Sequence, residues 1–80
     1  MSACVYMLLC SDGTLYTGWT DNLKKRIAAH NSGHGAKYTS GRRPVELYYC
    51  ESCENRSEAL RREYQLKKLP RAEKLKLKNV

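Results

Sequence analysis

Residues 4–20, "CVYMLLCSDGTLYTGWT", constrain the fold more than any other stretch of the chain. Two runs of β-forming residues, 4–10 and 14–20, flank Ser11-Asp12-Gly13 and predict a hairpin. Two registers are open to it. A two-residue Asp12-Gly13 loop sets Tyr6 opposite Trp19 and sends Tyr16 to the other face. A three-residue loop, with Gly13 in the left-handed conformation, pairs Cys10 with Thr14, Leu8 with Tyr16 and Tyr6 with Gly18. Alternation selects the second, because Val5, Met7 and Leu9 then share a face with Leu15 and Trp19. The odd-numbered face is expected to be the core. Tyr6 and Tyr16 become diagonal neighbours on the other face, with backbones roughly 7–8 Å apart, and Gly18 puts no side chain opposite Tyr6.

The rest of the chain supplies helices and one more strand. Thr20 or Asp21 is expected to cap a helix whose stripe is Leu23, Arg26, Ile27 and His30, ended by Asn31-Ser32-Gly33. Residues 34–43 are polar and contain glycine, so they predict a loop. Pro44 is expected to open a third strand running to about Cys50, with Val45, Leu47 and Tyr49 alternating. A second helix is predicted from Asn55 or Ser57 to about Leu69, and Pro70 opens a short final one within a basic helical tail, about 70–80. The expectation is one α+β domain over 1–80: a three-stranded antiparallel sheet flanked by helices, in the order ββαβα plus a C-terminal helix.

Fifteen Lys and Arg against eight Asp and Glu give a formal charge of +7, which attracts polyanions and makes nucleic acid the first partner to consider. A basic surface with solvated lysines is the plainer reading. The uncharged run Ala3 to Ser11 is too short to span a bilayer and has no basic residue before it, so neither a membrane segment nor a signal peptide is expected. A cytoplasmic, reducing location follows, with Cys4, Cys10, Cys50 and Cys53 as free thiols or metal ligands. Structural zinc is not expected. Cys4 and Cys10 lie about 20 Å apart on an extended strand, too far for one tetrahedral site. Cys53, near a helix start, could serve redox chemistry but lacks the expected βαβ context.

Two helical positions break the apolar pattern. Arg26 and His30 lie on the same stripe as Leu23 and Ile27, either at its edge or turned toward a polar site. Glu63 lies between Ala59 and Leu66 with Leu60 and Tyr64 beside it, and is either half of an i, i+4 pair with Lys67 or a functional carboxylate.

Tyr6, then Tyr16-Thr17-Gly18, then Arg26 and His30 one turn apart, then a later helical carboxylate, resemble the GIY-YIG nuclease superfamily across essentially the whole chain. The likeness is strongest to its small single-domain members, at "YTGWTDNLKKRIAAHNSG", "GAKYTSGRRPVELYY" and "EALRREYQLKKL". The first family tripeptide is Cys4-Val5-Tyr6 here, so its glycine is missing while both tyrosines and Gly18 match. The resemblance implies hydrolysis of nucleic-acid phosphodiester bonds with one divalent cation, Mg²⁺ or Mn²⁺. It implies that Glu63 binds the cation, that Arg26 holds the scissile phosphate, and that Tyr6, Tyr16 and His30 orient or deprotonate water. Lys37, Tyr38, Thr39, Arg42 and Arg43 match a motif of the small members and are expected either to meet the nucleic-acid backbone, with Tyr38 available for stacking, or to lie in a solvated loop. Asn79 has no role assigned from its spacing.

These roles suit the chemistry. An anionic phosphodiester needs positive charge where the transition state gathers negative charge, which Arg26 and a cation supply. A phenol with a pKa of about 10 needs cationic neighbours to act as a base near neutrality, whereas a histidine is already in range. A lone carboxylate suits Mg²⁺, which keeps several waters and borrows phosphate oxygens. The alternatives are a nucleic-acid-binding module with little catalysis, possible targeting by a protein partner, and an adaptor whose basic tail meets an acidic protein.

Overall fold

The computed structural model describes residues 2–80. Its elements are β1 (Ala3–Leu9), β2 (Leu15–Thr20), α1 (Leu23–Asn31), α2 (Lys37–Ser40), β3 (Glu46–Cys53), α3 (Arg56–Lys67) and α4 (Arg71–Leu75). The three strands form one antiparallel sheet in the order β2-β1-β3. The fold is α+β, as the sequence predicts.

The hairpin takes the three-residue loop. Tyr6 pairs with Gly18 and Leu8 with Tyr16. Cys10 N donates to Thr14 O at 2.9 Å and Gly13 N to Cys10 O at 3.0 Å, with Gly13 at φ 85°. Asp12 fastens the turn through one carboxylate oxygen, which accepts from the Thr14 backbone at 3.1 Å and its hydroxyl at 2.6 Å.

The expected odd-numbered core is corrected. β1 is the central strand, and Val5, Tyr6, Met7 and Leu8 are all fully buried. On the even face Tyr6, Leu8, Cys10 and Val45 form a cluster closed by Leu23 and Ile27 of α1; on the odd face Ala3, Cys53 and Ala59 pack with Trp19 under α3. A central strand with helices on both sides buries both sets of side chains, so alternation cannot separate core from site.

The third strand runs Glu46–Cys53 rather than from Pro44 to about Cys50. It carries a bulge: Met7 faces Tyr49 and Leu8 faces Leu47, leaving Tyr48 extra. Leu47 therefore joins the even-face cluster while Tyr49 goes to the opposite face, where it donates to Glu51, itself held by Arg62 Nε of α3 at 3.0 Å. The continuous alternation of Val45, Leu47 and Tyr49 does not hold.

Helix ends follow side-chain capping. Asn22, not Thr20 or Asp21, caps α1 by accepting from Lys25 N at 3.2 Å, while Thr20 Oγ1 accepts from Asn22 N at 3.1 Å. Gly33, at φ 88°, follows the helix end. Asn55 caps α3 through Glu58 N, and Pro70 precedes α4. The stretch expected to be a loop holds the single turn α2. Asn79 acts as an extra rung on the outer edge of β3. Its Oδ1 accepts from Cys50 N at 3.1 Å and its Nδ2 donates to Cys50 O at 2.8 Å.

All four cysteines are free, and burial pushes the Cys4 and Cys53 thiols up. Among the described residues, no three or more His, Cys, Asp or Glu side chains gather into a metal site, and no helix is long and apolar enough to cross a membrane.

Candidate active site

The site is built where β1, β2, α1 and α2 meet. Gly18 lies opposite Tyr6, and the Tyr6 ring fills the space a side chain would take: a Cβ on Gly18 would stand 2.7 Å from the Tyr6 hydroxyl oxygen. The ring is thus directed across β2 toward α1. There its hydroxyl meets His30 Nε2 at 2.9 Å, with both residues fully buried.

The second ring nitrogen of His30 fixes the direction of that bond. His30 Nδ1 lies 2.8 Å from Thr39 Oγ1, whose own hydrogen goes to Ala36 O at 3.1 Å. With that hydrogen on Ala36 O, Thr39 accepts from Nδ1–H, and in this tautomer Nε2 is the acceptor and Tyr6 the donor. Burial, helped by the Arg26 charge, lowers the His30 pKa from its ordinary value near 6.5 and keeps the ring neutral. Burial raises the Tyr6 pKa, and the neighbouring Arg26 opposes the rise. The result is a buried hydrogen-bonded chain that runs from Tyr6 through His30 to Thr39.

Thr39 corrects an expectation, because it is fully buried behind His30 rather than facing nucleic acid. Gly35 is a further residue the sequence reading missed. The loop at Gly35 passes so close to His30 that an added Cβ would stand 2.7 Å from the His30 Cα, and Gly35 O accepts from Arg26 Nη2 at 3.0 Å. Its glycine was visible in sequence, but not the surface it would rest on.

Arg26 has its guanidinium pKa raised first by its interaction with the Tyr6 hydroxyl, and further by Tyr16. Its Nε is buried without an acceptor. It also borders two open cavities of about 240 and 300 Å³, shared with Thr20 and Asp21. An unsatisfied charged donor beside open space fits an anionic ligand. Tyr16 is half-buried, its ring centre 5.1 Å from that of His30 and 6.4 Å from that of Tyr6.

Glu63 projects from α3, its side chain 18% exposed and 3.6 Å from Lys67 Nζ. It lies near enough to Tyr6 for its charge to oppose phenolate formation. One largely shielded carboxylate fits a hard cation that keeps most of its waters, but not a cation needing an all-protein cage.

The expected nucleic-acid residues divide. Tyr38 is exposed and continues the aromatic row, 5.9 Å from Tyr16, with the Arg42 guanidinium 4.1 Å above its ring. Arg42 Nε also donates to Asp12 at 3.0 Å. Arg43 bonds Ser40 O at 2.9 Å and Asn31 O at 3.5 Å, bracing α2 against the end of α1. Lys37 opens α2.

This chain belongs to the GIY-YIG family: the model of the GIY-YIG catalytic domain matches residues 2–76. Within that nuclease family it is similar to the UPF0213 proteins. One from Clostridium perfringens is 63% identical over 73 residues, spanning 91% of this chain and 78% of the relative. One from Halobacterium salinarum is 57% identical over 70 residues, spanning 88% and 91%. Among solved structures, the solution structure of a protein from E. faecalis covers 95% of this chain and 81% of its own at 46% identity, with a TM-score of 0.65. That of a UPF0213 protein from Bacillus halodurans covers 96% and 82% at 45% identity, with a TM-score of 0.60. GIY-YIG nucleases generally depend on a divalent metal, and the family points to a nucleic-acid substrate.

Proposed function

We propose that this chain is an endonuclease that hydrolyses phosphodiester bonds in nucleic acid, DNA foremost, in the cytoplasm. The observation that carries the reading is the buried hydrogen bond from Tyr6 to the neutral Nε2 of His30. It gives a phenol, otherwise a poor base, a place to send its proton. Arg26 binds the scissile phosphate through donors that include its unpaired Nε. Because Arg26 stands beside Tyr6, a phosphate that draws the guanidinium outward opens the Tyr6 hydroxyl to water. As water attacks phosphorus, Tyr6 accepts its proton while passing its own to His30 Nε2; the bond from phosphorus to the leaving oxygen breaks, and that oxygen takes a proton from solvent. Tyr16, partly exposed, orients that water. Glu63 would hold the divalent cation, Mg²⁺ or Mn²⁺, which supplies Lewis-acid stabilisation of the phosphoryl charge. Lys37, Tyr38, Arg42 and Arg43 contact the flanking strand, and a protein partner supplies sequence targeting.

A second reading, a nucleic-acid-binding module with little catalysis, is favoured by one observation. Tyr6 is fully buried and its pKa is raised, which resists the phenolate. Cleavage of labelled single-stranded, duplex and branched DNA, and of RNA, with Mg²⁺ or Mn²⁺ decides between them. Arg26→Ala and Glu63→Gln should each cut about 100-fold more slowly than wild type, or worse. Equal rates in all three proteins would sink the site. Binding without any cleavage by wild type would favour the module.

A further inference from the structure

Beside the outer edge of β2, toward α3 and α4, lies an open cavity of about 260 Å³, lined by Leu15, Tyr16, Thr17, Tyr38, Lys67 and Lys74. Three observations mark it as more than a surface groove. Thr17 is 4% exposed, and its hydroxyl has no hydrogen-bond partner. Native proteins seldom leave a buried hydroxyl so. The charged residues lining the cavity are both lysines, and Lys74 has no ion-pair partner among the described residues. Tyr16 belongs both to this cavity and to the aromatic row around His30, and it also interacts with the Arg26 guanidinium, so it links the cavity to the residue that would hold the scissile phosphate.

We infer that this cavity is a second phosphate subsite, which takes the phosphate flanking the scissile one on a bound strand; the inference rests on the nucleic-acid reading above. The Thr17 hydroxyl donates one hydrogen bond to the phosphate. Lys67 and Lys74 supply charge, and Tyr38 with Tyr16 forms the wall against the sugar and base. Lys67 is held only by Glu63 at 3.6 Å and has 54% of its side chain exposed, so it is free to turn toward a phosphate. No residue in this arrangement repeats the work of Arg26, which borders two separate cavities.

The test is metal-free binding of fluorescein-labelled oligothymidylate, followed by anisotropy across a salt series. Wild type is compared with Thr17→Val, Lys74→Ala, Lys76→Ala and Arg26→Ala. Thr17→Val removes no charge and should weaken binding about three- to tenfold, with the salt slope unchanged. It should melt no lower than wild type, because the lost hydroxyl had no partner. Lys74→Ala should weaken binding by a similar factor and reduce the slope by about 0.7. Lys76→Ala, two residues further on and paired with Glu73, should do neither. The subsite is overturned if Thr17→Val binds as wild type does, or if Lys76→Ala matches Lys74→Ala. In either case weakened binding by Arg26→Ala leaves the nuclease reading standing. No change in any variant, Arg26→Ala included, removes both.

Discussion

Tyr6 shows how packing and chemistry are made one at the level of a residue. Its ring fills the hollow over Gly18, and its hydroxyl satisfies a buried histidine. Tyr6→Phe keeps the ring but leaves His30 Nε2 without a donor, so it should destabilise the fold by about 1–3 kcal/mol in urea unfolding as well as stop cleavage. Losing cleavage at unchanged stability would mean that the hydrogen bond is absent in solution. His30 makes a pH prediction with a definite sign. Its folded pKa lies below the ordinary 6.5, so below that pH the unfolded chain binds the proton more readily. Stability should be fully present above about pH 6.5 and fall as pH drops through the lowered folded pKa. His30→Gln should flatten the curve, as read from urea midpoints between pH 5 and 7.5. Both tyrosines, Arg26 and His30 were legible because strand alternation and helical spacing are local. Thr39 and Gly35 were not. Their roles depend on a loop folding back onto His30, and no periodicity records that contact.

Among the elements, the hairpin was the most legible because turn chemistry and apolar alternation agree on one register. The third strand was less so. The bulge at Tyr48 inserts one residue and reverses which side chains face α1, so a regular alternation in sequence becomes an irregular one in space. The tail repairs the edge beside that bulge. Tyr48 donates its hydroxyl to Leu75 O at 2.7 Å, Asn79 N reaches Tyr48 O at 3.3 Å, and the Asn79 amide pairs with Cys50. Asn79→Ala should cost about 1 kcal/mol, lowering the melting temperature by about 4–8 °C. Amide exchange at Cys50 should quicken. An unchanged Cys50 exchange rate would show that the tail does not hold this edge.

At the scale of the molecule, the sequence charge of +7 and the exposed lysines set a field that no single contact carries. If Arg26, Lys74 and at least one further basic group meet phosphates, affinity for a single strand should fall with salt at a log–log slope steeper than about −2. A flat response would favour an adaptor for an acidic protein. The proposed proton path joins β1, α1 and α2, whereas the proposed cation ligand is on α3, more than 30 residues beyond His30. That ordering has a consequence during synthesis. A ribosome-bound fragment ending before residue 63 contains both tyrosines, Arg26 and His30 without their carboxylate. On the proposed mechanism, the nascent chain stays chemically silent beside the cell's RNA until α3 has been made.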